Sequence, residues 1–69
     1  MSITNRERAK RAAQTLETYK RVYAAPGYDT QEALTDLIAD LLHLARAKKL
    51  DPEKVLAMAQ YHFESETQN

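Results

Sequence analysis

With 69 residues, the chain has room for one small domain, and a chain this short buries only about 60% of the surface it exposes when unfolded. It contains no cysteine, which excludes disulfides and cysteine-ligated zinc and fits a reducing cytoplasm; no window is long and apolar enough to cross a bilayer, and the charged opening MSITNRERAKRAA lacks the apolar run of a secretory signal. Ten basic and ten acidic side chains cancel overall, but residues 1–24 carry a net +4, residues 25–50 a net −1 and residues 51–69 a net −3, so opposed ends can attract within one fold or between two copies.

The first helix is predicted from about Asn5 to Ala24. Thr4 is its N-cap, and Glu7 three residues later completes a capping box. Ala9, Ala12, Leu16, Tyr19 and Tyr23 follow a 3-4-3-4 spacing, which is one face of a helix. The alanines bury little area, so Leu16 to Tyr23 should supply most of the packing. The run APGY, Ala25 to Tyr28, ends the element.

The second helix is predicted from Thr30 to about Lys49, with Asp29 as N-cap and Glu32 at the capping-box position. Leu34, Leu37, Leu41 and Leu44 form one apolar seam, and Ile38, Leu42 and Ala45 form another beside it. Together they make a face wider than one neighbour needs. Such a face fits a central helix, or one that reserves part of its surface for another chain. Arg46, Lys48 and Lys49 complement the negative end of the helix dipole.

The third helix is predicted from Pro52 to about Ser65. Asp51 caps it, Pro52 occupies the first helical position without losing a hydrogen bond, and Glu53 favours the positive end of the dipole. Leu56, Ala59 and Phe63 mark its expected buried face, flanked by Val55, Met58 and His62. The tail ETQN is polar and expected to fray. With no alternating strand pattern and no repeat, these elements predict one all-α domain over residues 1–69. It is a three-helix bundle in which helices 2 and 3 form an antiparallel hairpin.

The short turn between helices 2 and 3 also suits a helix-turn-helix. Ala45, Lys49 and Val55 match that motif's spacing, with Lys49 in place of the usual turn glycine. The outward positions of the third helix would be Glu53, Lys54, Ala57, Gln60, Tyr61 and Glu64. Gln60 is able to read adenine, but two carboxylates against one lysine repel phosphate. A helical hairpin is therefore the better reading. The basic groups Arg6, Arg8, Lys10, Arg11, Lys20 and Arg21 of the first helix are either an ordinary solvated face or a surface for an acidic protein or a nucleic-acid backbone.

Catalytic apparatus is scarce. The serines, Ser2 and Ser65, lie near the chain ends away from any evident base, and the lone Gly27 cannot make a phosphate loop. One polar cluster stands out. Asp36, Asp40 and His43 share a face of the second helix with Glu32, and a hairpin would bring His62 near their level. That set suits a divalent metal, though the same spacing also describes a solvated face with ion pairs, which is the favoured reading. All-helical nucleotide pyrophosphatases carry paired glutamate-rich helices, a doubling this chain lacks.

The run ALTDLIADLLHLARAKKLDPEKVLAMAQYHFESE, Ala33 to Glu66, resembles small helical proteins carried by bacterial plasmids, phages and integrated elements. The similar features are the leucine-rich helix with Asp36, Asp40 and His43, the Leu50-Asp51 turn, and the His62-Phe63 ending with Glu66. The resemblance implies an all-helical fold and a mobile-element origin, and it implies no activity.

The resulting expectation is a small cytoplasmic, non-enzymatic interaction protein without cofactor or metal, acting as a regulator or inhibitor. Its partner would be a protein, either a heterologous one or a second copy in a homodimer, and not a membrane. The contacts expected are Arg6, Arg8, Lys10, Arg11, Lys20, Arg21 and Tyr28, since arginine and tyrosine are favoured anchors. Tyr19 and Tyr23 are either part of that surface or core. The alternatives are a nucleic-acid-binding regulator and, third, a metal-dependent enzyme.

Overall fold

A computed structural model describes residues 3–23, 27 and 29–67, the last for its backbone only. The protein is all-α, with three helices: α1 (Asn5–Tyr23), α2 (Thr30–Ala47) and α3 (Pro52–Thr67). Helices α2 and α3 form the expected hairpin. The chain divides into two compact units, residues 1–37 and 38–69, so α2 contributes its first half to one and its second half to the other.

Each helix starts where its capping chemistry directs. In α1 the Glu7 amide donates to Thr4 Oγ1 at 3.1 Å, and the Thr4 amide donates back to Glu7 Oε1 at 3.2 Å. This reciprocal pair satisfies two donors that the first turn would otherwise leave open. In α2 the Glu32 amide donates to Asp29 Oδ1 at 2.8 Å. In α3 the Glu53 amide donates to Asp51 Oδ1 at 3.0 Å, and Pro52 between them has no amide to satisfy.

The helix ends differ from expectation in two places. Helix α2 stops at Ala47, two residues early, because Lys49 adopts the left-handed conformation with φ of 63°. The Leu50 amide then reaches Ala45 O at 2.8 Å and the Lys49 amide reaches Arg46 O at 3.0 Å. These paired bonds constitute a Schellman C-cap. Glycine normally takes that position; a lysine there strains its Cβ against the backbone. Lys49→Gly is therefore expected to raise stability by about 0.5–1 kcal/mol, after allowing for glycine's extra freedom when unfolded. A thermal melt that falls on this substitution would contradict the strain argument. Helix α3 runs to Thr67, two residues past the expected end at Ser65, so Glu66 belongs to the helix and not to a frayed tail. Ala24, expected to close α1, lies outside the described residues. Gly27 sits at φ of 84°, a conformation it adopts without steric conflict.

Burial is sparse. Among the described residues the buried apolar side chains are Leu16 and Ala33 in the first unit and Ala45 in the second. Tyr19, Leu37, Leu42 and Pro52 are half-buried. Ala9, Ala12 and Tyr23, expected on the packed stripe of α1, are exposed. Leu56, Ala59 and Phe63, expected to form the buried face of α3, are exposed as well. The reason is geometric in the second unit. Two helices joined by a tight turn bury one line of contact, and a hairpin supplies no further layer to cover the outward flanks.

Candidate interaction surface

The second unit concentrates its apolar groups at the surface. On α2, Ile38, Leu41 and Leu44 are 47%, 52% and 53% exposed. Positions three apart step round a helix by about 60°, so these side chains form a broad band, not one line, along the second half of α2. On α3, Val55, Leu56, Met58, Tyr61 and Phe63 are 41% to 65% exposed. Leu56 and Phe63 are seven residues apart and nearly eclipse each other, with Ala59 between them. Leu50 projects from the turn. Scattered exposed leucines are ordinary, but this many large apolar side chains exposed on one hairpin is what an interaction site leaves when it is viewed alone.

The polar groups of this unit are sorted by position. Arg46, Lys48, Lys49 and Lys54 gather about the turn, with Asp51 and Glu53 among them, for a net +2 over residues 46–54. Asp40 on α2 and Glu64 and Glu66 on α3 lie away from the turn. The Tyr61 ring meets the His62 imidazole edge-on at 6.0 Å.

No family model matches the sequence, and neither curated proteins nor solved structures give a significant match. The surface is therefore read from its own chemistry.

The residues singled out in the sequence fall in several places. Arg6, Lys10, Arg11 and Arg21 are exposed, and Arg8 and Lys20 are half-buried. Arg8 Nη1 donates to Asn5 Oδ1 at 3.2 Å. Lys10 and Arg11 border a shallow depression with Glu7 and Gln14, so the basic groups are not gathered into one uninterrupted patch. Tyr28 lies outside the described residues. The Tyr19 and Tyr23 rings pair at 5.2 Å with an interplanar angle of 51°, Tyr19 half-buried and Tyr23 exposed. Asp36, Asp40, His43 and His62 are all exposed, and among the described residues no group of three histidine, aspartate or glutamate side chains is placed to hold a metal ion.

Sequence periodicity identified the broad apolar face of α2 but not the exposure of α3. A signal was present. Val55, Met58 and Tyr61 continue the band of Leu56, Ala59 and Phe63 round the helix, so the apolar groups together cover more of α3 than a single neighbour is able to cover.

Electrostatics is distinctive at the start of α2. The Glu32 amide and a shared hydrogen bond with the Glu32 side chain hold the Asp29 carboxyl below its usual range. The same shared bond, with repulsion from Asp29, pushes the Glu32 carboxyl above its usual range. The two effects have opposite linkage signs. Stabilisation from Asp29 is present above its unfolded pKa and is lost as pH falls through its lowered folded pKa. Stabilisation from protonated Glu32 is present below its unfolded pKa and is lost as pH rises through its raised folded pKa. At neutral pH the ionised Glu32 thus opposes the cap. Glu32→Gln keeps a donor for Asp29 without the charge, so it should raise the melting temperature at pH 7 and show a smaller advantage once Glu32 is protonated. Melts of both proteins across that range test the sign; an unchanged difference at every pH would count against it.

Proposed function

We propose that the chain is a small non-enzymatic protein-interaction module that acts through the apolar side chains of α2 and α3. The observation carrying this reading is the exposure of Leu41, Leu44, Leu56, Met58 and Phe63, each between 47% and 65%, in a unit whose buried apolar residue, among the described ones, is Ala45. Covering such groups releases ordered water and stabilises a complex in proportion to the apolar area removed. The role proposed for such a module is that of a regulator or inhibitor. The first-helix residues Arg6, Arg8, Lys10, Arg11, Lys20 and Arg21 would then add long-range attraction and not the central contact, since rim charges govern encounter more than affinity.

Protein recovered from its native cells should travel in a complex, self-made or mixed, that the Leu41→Glu/Leu44→Glu double variant no longer forms. A complex retained by that variant would sink the reading. So would a wild-type monomer that fails to bind a hydrophobic dye.

A second reading is favoured by the net +4 of residues 1–24, borne by side chains that are exposed or half-buried along α1. Such a helix is able to track a nucleic-acid backbone. That binding would weaken steeply with salt and lose about one counterion-release increment for each contacting arginine removed. A gel-shift titration at two salt concentrations, with wild type and Arg6→Ala/Arg11→Ala, separates this reading from the first.

A further inference from the structure

We propose that the occupant of the exposed α2–α3 face is a second copy of the same hairpin, packed antiparallel so that two hairpins close into a four-helix layer. The inference rests on the interaction-module reading and names its partner.

Three observations lead to it. The first is extent. The exposed Val55, Leu56, Met58, Tyr61 and Phe63 extend more than halfway round α3, further than α2 beside it covers, so apolar surface is left over for another chain. The second is self-complementarity. A two-fold interface must pack a patch against itself, and rows of leucine-sized side chains spaced three and four apart interdigitate with copies of themselves at the shallow angle of helix bundles.

The third is charge, and it fixes the orientation. Residues 46–54, around the turn, carry a net +2; the rest of the unit carries Asp40, Glu64 and Glu66 against no lysine or arginine. A parallel pairing would set turn against turn and acidic end against acidic end. An antiparallel pairing sets each basic turn beside the acidic end of the other copy. In a hairpin turning at residues 48–51, equal rise along both helices puts Leu41 at about the level of Ala59. A two-fold axis at that level carries Lys54 of one copy toward Glu64 and Glu66 of the other. Asp40, Glu64 and Glu66 set the charge of that end whether or not they have intramolecular partners.

The absence of cysteine makes the orientation directly measurable. Sedimentation of the full chain should show a dimer at about 100 µM that dissociates at least 100-fold more readily in Leu41→Glu/Leu44→Glu. These positions are exposed, so circular dichroism should report unchanged helix in the variant. Lys54→Glu and Glu64→Lys should each weaken the dimer by about tenfold at low salt, and combining them should restore part of the loss. Lys54→Cys mixed with Glu64→Cys should form mixed disulfides faster than either forms with itself. Rapid self-linking of Lys54→Cys would overturn the antiparallel arrangement. A monomer at several hundred micromolar that binds a hydrophobic dye would overturn self-pairing while leaving the face available to another protein; a monomer that binds no dye would overturn both readings.

Discussion

Leu16→Ala is expected to melt about 10–25 °C below the parent protein. Leu16 is 8% exposed, and among the described residues of the first unit it is the large side chain that is buried. Truncating a buried leucine removes its transfer free energy and leaves a cavity, about 2–4 kcal/mol together. A domain of this length has only about 3–10 kcal/mol in total, and each kilocalorie shifts a melt by about 4–8 °C at this size. The alanine-rich first half of α1 cannot compensate, because Ala9 and Ala12 are exposed and contribute propensity without burial. Val22→Ala supplies the comparison. Val22 is on the same helix but 62% exposed, so its loss should stay within about 0.5 kcal/mol. Chemical denaturation of both variants gives the two values. Equal losses would mean that Leu16 does not anchor the unit.

The contrast between Leu16 and Val22 shows what the sequence makes legible. Helix starts were readable because their causes are local. Thr4, Asp29 and Asp51 bond amides two or three residues ahead, and no distant contact is needed to place them. The number and class of the elements followed from the same signals together with the 3.6-residue pattern. The end of α2 was misplaced by two residues because Lys49 takes a conformation that lysine does not advertise. The extent of the core was misjudged for a different reason. Periodicity shows that Leu56, Ala59 and Phe63 share a face, but it is silent on whether anything covers that face. Those residues satisfy every rule for burial and are nonetheless exposed.

The candidate surface was half visible on the same grounds. A seam from Leu34 to Leu44 beside a second from Ile38 to Ala45 signals more apolar area than one neighbour uses. The basic residues of α1 are easier to notice, because charge stands out in any sequence. Exposed charge is the default condition of a helix, however, whereas exposed leucine, methionine and phenylalanine on one hairpin require a reason. Leu41, Leu44, Leu56 and Phe63 are therefore stronger candidates for a partner contact than Arg6, Lys10 and Arg11.

Ala33→Leu tests the opposite property, close packing where the protein does achieve it. Ala33 has no exposed surface, and its amide makes the first backbone bond of α2, to Asp29 O at 3.0 Å. By hydropathy alone the substitution should help, since leucine adds apolar atoms to an amphipathic helix and has nearly alanine's helix propensity. Packing predicts the reverse. A fully enclosed Cβ leaves no volume for three more carbons, so neighbouring side chains must leave their preferred rotamers or the helix must shift, at about 1–3 kcal/mol. The substitution should also lower the cooperativity of unfolding, because displacing α2 near its cap disturbs the unit at its tightest point. Leu34→Ala, at the next position but 41% exposed, removes atoms and should cost less than a buried leucine does. Adding carbons at 33 and removing them at 34 thus separates enclosure from hydropathy. If Ala33→Leu melts higher than the parent, the alanine marks a gap and not a contact, and the first unit has room to strengthen its own core.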